Sequence, residues 1–130
     1  MKKAFLFPGQ GSQFIGMGQE LASQHEVAKD VFSEVDEALG ERLSALMFRG
    51  DIEELTLTKN AQPAIMAVSI AILRVMLSNG LDLKKIDLLA GHSLGEYSAL
   101  CASGVISLWD TTIVLRKRGI AMQKAVSEGK

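Results

Sequence analysis

The run Asp87–Gly91 (D-L-L-A-G), passing directly into His92-Ser93-Leu94-Gly95, constrains this chain more than any other feature. A short apolar run closed by glycine reads as a buried strand, and the residues after it carry a helical pattern to about Ala102. A second apolar run, Ala4–Phe7, stops at a Pro-Gly turn and supplies another buried strand. Between the two, Met17, Leu21, Val27, Val31, Val35 and Leu39 fall mostly at helical steps, which predicts two helices broken near His25. Leu43–Phe48 and Ile52–Leu55 read as short helical turns. Asn60 is placed to cap a long helix over Gln62–Leu77, apolar almost all round and therefore central, that ends at Asn79-Gly80. Ser107 is placed to cap the last helix, Leu108–Val126. Strands alternating with helices predict an α/β fold with a parallel sheet covered on both faces. Two strands, however, make a poor stand-alone core.

At 130 residues and 48% hydrophobic, the chain suits one domain with a filled core. Its 14 basic and 15 acidic side chains give a formal charge of −1, a balance without the footprint of nucleic-acid or anionic-membrane binding. Cys101 is the only cysteine, so an intrachain disulfide is excluded and a cysteine-rich metal cluster with it; no metal site is expected. Lys2 and Lys3 precede an apolar stretch too short for a signal peptide. The longest apolar segment, Ala64–Leu77, is interrupted by Ser69 and Arg74 and falls below the ~18–20 residues of a membrane span. A soluble, cytoplasmic protein is expected.

Gly91-His92-Ser93-Leu94-Gly95 matches G-x-S-x-G, the nucleophile elbow. In that motif the serine sits on a sharp strand-to-helix turn, and the flanking glycines let neighbouring elements pass without a Cβ. Ser93 would present its Oγ above a helix N-terminus, where the Leu94 N–H can stabilise a developing oxyanion. The alternative is a chance pentapeptide in a glycine-rich chain, against which the strand before and the helix after both argue. Phe7-Pro8-Gly9-Gln10-Gly11-Ser12-Gln13 follows the first strand. It fails G-x-G-x-x-G at Phe14 and the Walker pattern at Met17. It reads instead as a plain turn, or as a backbone nest with the Gln10 amide at the same sheet edge as Ser93. The cluster Arg116-Lys117-Arg118 in the last helix would ordinarily be a solvated face. Arg118 differs, since at about 100° per residue its helical neighbours are Val114, Leu115, Ala121 and Met122. A guanidinium there needs an anionic partner, either a ligand carboxylate or an internal one such as Glu96 or Asp87. Histidine is scarce: His92 adjoins the serine and should diverge from it, and His25 reads as a surface residue, so neither supplies a general base.

Taken together, F-P-G-Q-G-S-Q, T-K-N-A-Q-P-A (Thr58–Ala64), G-H-S-L-G-E-Y-S-A-L (Gly91–Leu100) and K-R-G ending at Gly119 closely resemble the malonyl-CoA:acyl carrier protein transacylase family and related acyltransferase domains. The resemblance implies that Ser93 carries a malonyl ester and that Gln10 and the Leu94 N–H form the oxyanion hole. It also places Arg118 on the malonyl carboxylate, with His92 beside it on the substrate side. The implied reaction is ping-pong transfer from coenzyme A to the phosphopantetheine thiol of acyl carrier protein. Coenzyme A thioester is then the substrate, and no further cofactor is called for. Family members are more than twice this length. Residues 1–130 therefore read as the N-terminal part of a hydrolase-like domain, without the family's ferredoxin-like subdomain, remaining strands and catalytic histidine. A complementary C-terminal fragment or self-association is the expected partner arrangement. Two other readings stand beside this one: a non-catalytic module that binds acyl-CoA or acyl carrier protein, and a serine esterase, against which Arg118 argues.

Overall fold

Four residues ahead of the Pro-Gly turn form β1 (Ala4–Phe7), which pairs in parallel with β2 (Leu88–Gly91), Ala4 opposite Leu88 and Phe7 opposite Gly91. The computed structural model describes residues 2–128, so Met1 and positions 129–130 of the expected domain lie outside the described residues. Five helices separate the strands: α1 (Gln19–Gln24), α2 (Glu26–Leu39), α3 (Leu43–Arg49), α4 (Ile52–Thr56) and α5 (Thr58–Ser78). A 3-10 turn at Leu83–Lys85 leads into β2, and α6 (Leu94–Ala102) and α7 (Leu108–Glu128) follow it. The break between α1 and α2 falls on His25, whose backbone is extended, as the periodicity predicted. The Ser107 hydroxyl accepts the Asp110 N–H at 3.0 Å and caps α7 as expected.

The core lies among α2, α5 and α7. Val31, Phe32 and Val35 meet Ile65, Met66 and Ile70, with Leu115 entering from α7. Aromatic packing adds an edge-to-face contact between Phe32 and Phe48, with centroids 5.4 Å apart. Helices α5 and α7 approach so closely at Gly119 that a Cβ there would lie 2.7 Å from both Lys59 Cα and the Thr58 carbonyl oxygen. This contact brings the basic middle of α7, Arg116–Arg118, over the first turns of α5. By length and mean hydropathy of 1.6, α5 could cross a membrane, but 61% of the apolar window is buried inside the protein. It is a core helix.

Three expectations are corrected. Helix α5 begins at Thr58, and Asn60 lies inside it rather than capping it. The Asn60 amide instead donates to the Glu54 carbonyl at 2.9 Å, holding α4 against α5. Strand β2 begins one residue later than expected, because the Asp87 carboxylate turns back to accept the Lys3 N–H at 2.7 Å. The sheet is not covered on both faces by the described residues. Leu6 is 78% exposed and Leu88 56%, and an open apolar groove of about 510 Å³ runs between β1 and the Ile72–Met76 side of α5. That side of α5 is correspondingly half-exposed, so the helix is not buried all round.

Candidate active site

Two residues, His92 and Ser93, turn the end of β2 into α6. Ser93 has φ 57° and ψ −115°, the only positive φ outside glycine among the described residues. Such a conformation costs ~1–3 kcal/mol and persists only where its surroundings enforce it. Here Gly91 and Gly95 enforce it. A Cβ on Gly91 would fall 2.0 Å from the Gly95 carbonyl, and one on Gly95 would fall 2.2 Å from the Phe7 carbonyl oxygen. The backbone closes the turn with Gly95 N–H to His92 O and Glu96 N–H to Ser93 O, both 3.0 Å. Immediately before these two donors, the Leu94 N–H makes no hydrogen bond among the described residues and opens α6 as a free donor beside the serine. The Ser93 hydroxyl makes no capping bond either.

It is met instead by Arg118. From α7 the guanidinium donates through Nη2 to Ser93 Oγ at 3.1 Å and through Nη1 to Gln62 Oε1 at 2.7 Å. Its carbon lies 5.4 Å from the centre of the Tyr97 ring, a cation–π distance. The internal carboxylate partners considered for Arg118 are thereby corrected. Asp87 is engaged at the Lys3 backbone, and Arg118 has no ion pair among the described residues. With two of its five donors committed, the half-exposed guanidinium retains N–H groups and a full positive charge for an anion.

Arg116 also departs from expectation. Read as solvated, its side chain is only 15% exposed. It donates to Asn60 Oδ1 at 2.7 Å and pairs with Glu41, tying α7 to α5 and to the α2–α3 turn. It shares no hydrogen-bond partner with Arg118. His92 is exposed and lies against Gly9, a Cβ on which would sit 3.0 Å from the His92 Nδ1. This packing sets the Phe7–Gln13 loop beside the serine turn, with His92 N–H bonded to Phe7 O at 3.2 Å. The Gln10 amide donates to Thr58 Oγ1 at 3.2 Å. Cys101, further along α6, is half-buried, and burial pushes its thiol pKa up despite a hydrogen bond to Thr111. Thiolate is scarce there, so the cysteine is a weak rival to Ser93 as nucleophile.

Gln62, Tyr97 and Thr58 were not assigned roles from the sequence. Gln62 carried a usable signal: an amide beginning the apolar stretch of a core helix must find a partner when buried.

A strained serine, a free backbone donor and an anchored guanidinium meet at one end of the sheet. The chain belongs to the acyl transferase domain family, whose model matches residues 4–130. It is 56% identical over 128 residues to the malonyl CoA-acyl carrier protein transacylase of Bacillus subtilis, covering 98% of this chain and 39% of that protein. The enzyme of the same name from Salmonella typhimurium is 46% identical over 126 residues, with 97% and 40% covered. Among solved structures, the acyl-carrier-protein-S-malonyltransferase of Bartonella henselae superposes with a TM-score of 0.93 at 60% identity, over 95% of this chain and 40% of that one. A malonyl-transacylase in complex with its type II polyketide-synthase acyl carrier protein gives 0.90 at 44% identity, over 96% and 40%. The chain thus spans about two fifths of the length of the relatives it matches.

Proposed function

We propose that this chain carries the nucleophile and the acyl-carboxylate receptor of a malonyl transfer from coenzyme A to the phosphopantetheine thiol of acyl carrier protein. The observation that carries the reading is the Arg118–Ser93 hydrogen bond. A guanidinium held against a nucleophilic hydroxyl selects an acyl group with a free carboxylate at its far end. The names of the relatives supply the donor and acceptor classes.

In this reading Gly91–Gly95 is a nucleophile elbow. Ser93 Oγ attacks the thioester carbonyl, the Oγ–C bond forms, and the C–S bond breaks. The hydroxyl proton ends on the departing coenzyme A sulfur. The Leu94 N–H and the Gln10 amide stabilise the oxyanion, which requires Gln10 to share or leave its bond to Thr58. The acceptor thiol then reverses each step. No histidine of this chain meets Ser93 in the described hydrogen bonds, so this reading assigns the proton relay to the part of the relatives' length that the chain does not span. A general base typically contributes ~10²–10⁴-fold, and the chain alone is expected to acylate slowly. The exposed edge and groove beside β1 are the surface on which a complementary fragment, or a second copy, would sit. Coenzyme A enters as a substrate, and the reaction needs no metal.

The test is incubation with malonyl-CoA and then with holo acyl carrier protein, run with the chain alone and with the remaining portion of the Bacillus subtilis relative added. Malonyl carrier protein should accumulate slowly in the first case and at least ~10²-fold faster in the second. Saturable binding with no transfer in either would favour the non-catalytic binding module.

A further inference from the structure

Gln62 takes no step in the transfer outlined above, yet it is fully buried and is the partner that fixes the guanidinium. Arginine has donors only, so the amide must turn its oxygen toward Arg118. Its nitrogen then faces Met122 Sδ at 3.3 Å, a weak acceptor from the same helix as Arg118. The choice of an amide matters electrostatically. A neutral acceptor orients the guanidinium without cancelling its charge. A carboxylate in the same place would orient it equally well, but the arginine would then be neutralised internally and would have little remaining demand for an anion. The geometry points to Gln62 as a positioning residue that sets acyl specificity: it holds Arg118 against Ser93 while keeping its positive charge available to an acyl group with a terminal carboxylate. This rests on the Ser93–Arg118 reading above.

Two substitutions separate orientation from charge. Gln62→Met removes the acceptor at similar volume, and Gln62→Glu keeps an acceptor while adding a negative charge. Two measurements apply to each variant of the full chain: the guanidinium N–H signals of Arg118 in nitrogen-15 NMR, assigned with Arg118→Lys, and the ratio of malonyl to acetyl uptake from the two coenzyme A thioesters. The wild type should show a restrained Arg118 guanidinium. Gln62→Met should lose that signature and at least ~10-fold of the malonyl preference. Gln62→Glu should keep the restrained signature and melt no lower than wild type, yet lose the preference to a similar extent. A residue with a merely structural role would leave the glutamate variant unchanged in both readouts. The proposal is overturned by wild-type preference in Gln62→Glu, or by an unaltered Arg118 signature in Gln62→Met. Equal uptake of both donors by the wild type and by Arg118→Ala would sink the underlying reading and the specificity role with it. The NMR arm would still decide the positioning role.

Discussion

Arg118→Ala leaves Ser93 able to take an acyl group and removes its preference for a carboxylated one. The guanidinium reaches the serine at 3.1 Å and is held by Gln62 and Tyr97 rather than by a carboxylate. Its charge is therefore available to the far end of the acyl chain. Hydrogen bonds to a charged group contribute ~1.5–3 kcal/mol each, and 1.36 kcal/mol is tenfold in rate. The malonyl-to-acetyl ratio should accordingly fall by ~10–100-fold. Acetyl uptake should change far less, because the serine turn and the Leu94 N–H remain. Arg116→Ala provides the contrast. That side chain serves Asn60 and Glu41, so its loss should lower the melting temperature and leave the ratio alone. A shift in selectivity from Arg116→Ala and none from Arg118→Ala would reverse the assignment. Parallel time courses with the two thioesters, read by intact mass, measure it.

The second large effect concerns the turn itself. Gly91→Ala and Gly95→Ala each insert a methyl group into space already held by backbone, 2.0 Å from the Gly95 carbonyl and 2.2 Å from the Phe7 carbonyl oxygen. Neither obstacle is a flexible side-chain end that can swing aside. Relief requires β1, β2 and the start of α6 to separate. Overpacking a tight interior costs ~1–3 kcal/mol where side chains can adjust. Here the cost should lie at or above the top of that range, a large share of a typical ~5–15 kcal/mol of stability. Urea denaturation should show the midpoint falling sharply, and Ser93 uptake should vanish even in the folded fraction because the strained φ is no longer enforced. A midpoint within error of wild type would show that the turn can relax, and the enforced geometry at Ser93 would have to be given up.

The elements most legible in the sequence are those fixed by local chemistry. Ala4–Phe7 ends where proline and glycine stop it, α1 and α2 part at His25, and Ser107 caps α7. The glycines around Ser93 were legible for the same reason, since the turn needs them within five residues. What escaped was set by contacts distant in sequence. Asn60 has the chemistry of a cap, but Glu54 and Arg116 claim both ends of its amide, and α5 starts at Thr58 regardless. The need of Arg118 for a partner could be read from its apolar neighbours. That the partner is Gln62, 56 positions away, could not be read. Arg116 appeared solvated because its spacing on α7 says nothing of Asn60 and Glu41 packed across from it. Helical periodicity locates a buried face without naming what the face meets.

Whether Ser93 takes the acyl group is decided by intact-mass spectrometry with residue mapping after incubation with malonyl-CoA. Wild type and Ser93→Ala are compared under identical conditions, with Cys101 present in both as the internal rival. One malonyl group per chain is expected, mapped to the peptide containing Ser93 and absent from Ser93→Ala. Malonyl label that persists in Ser93→Ala, on Cys101 or elsewhere, would contradict it.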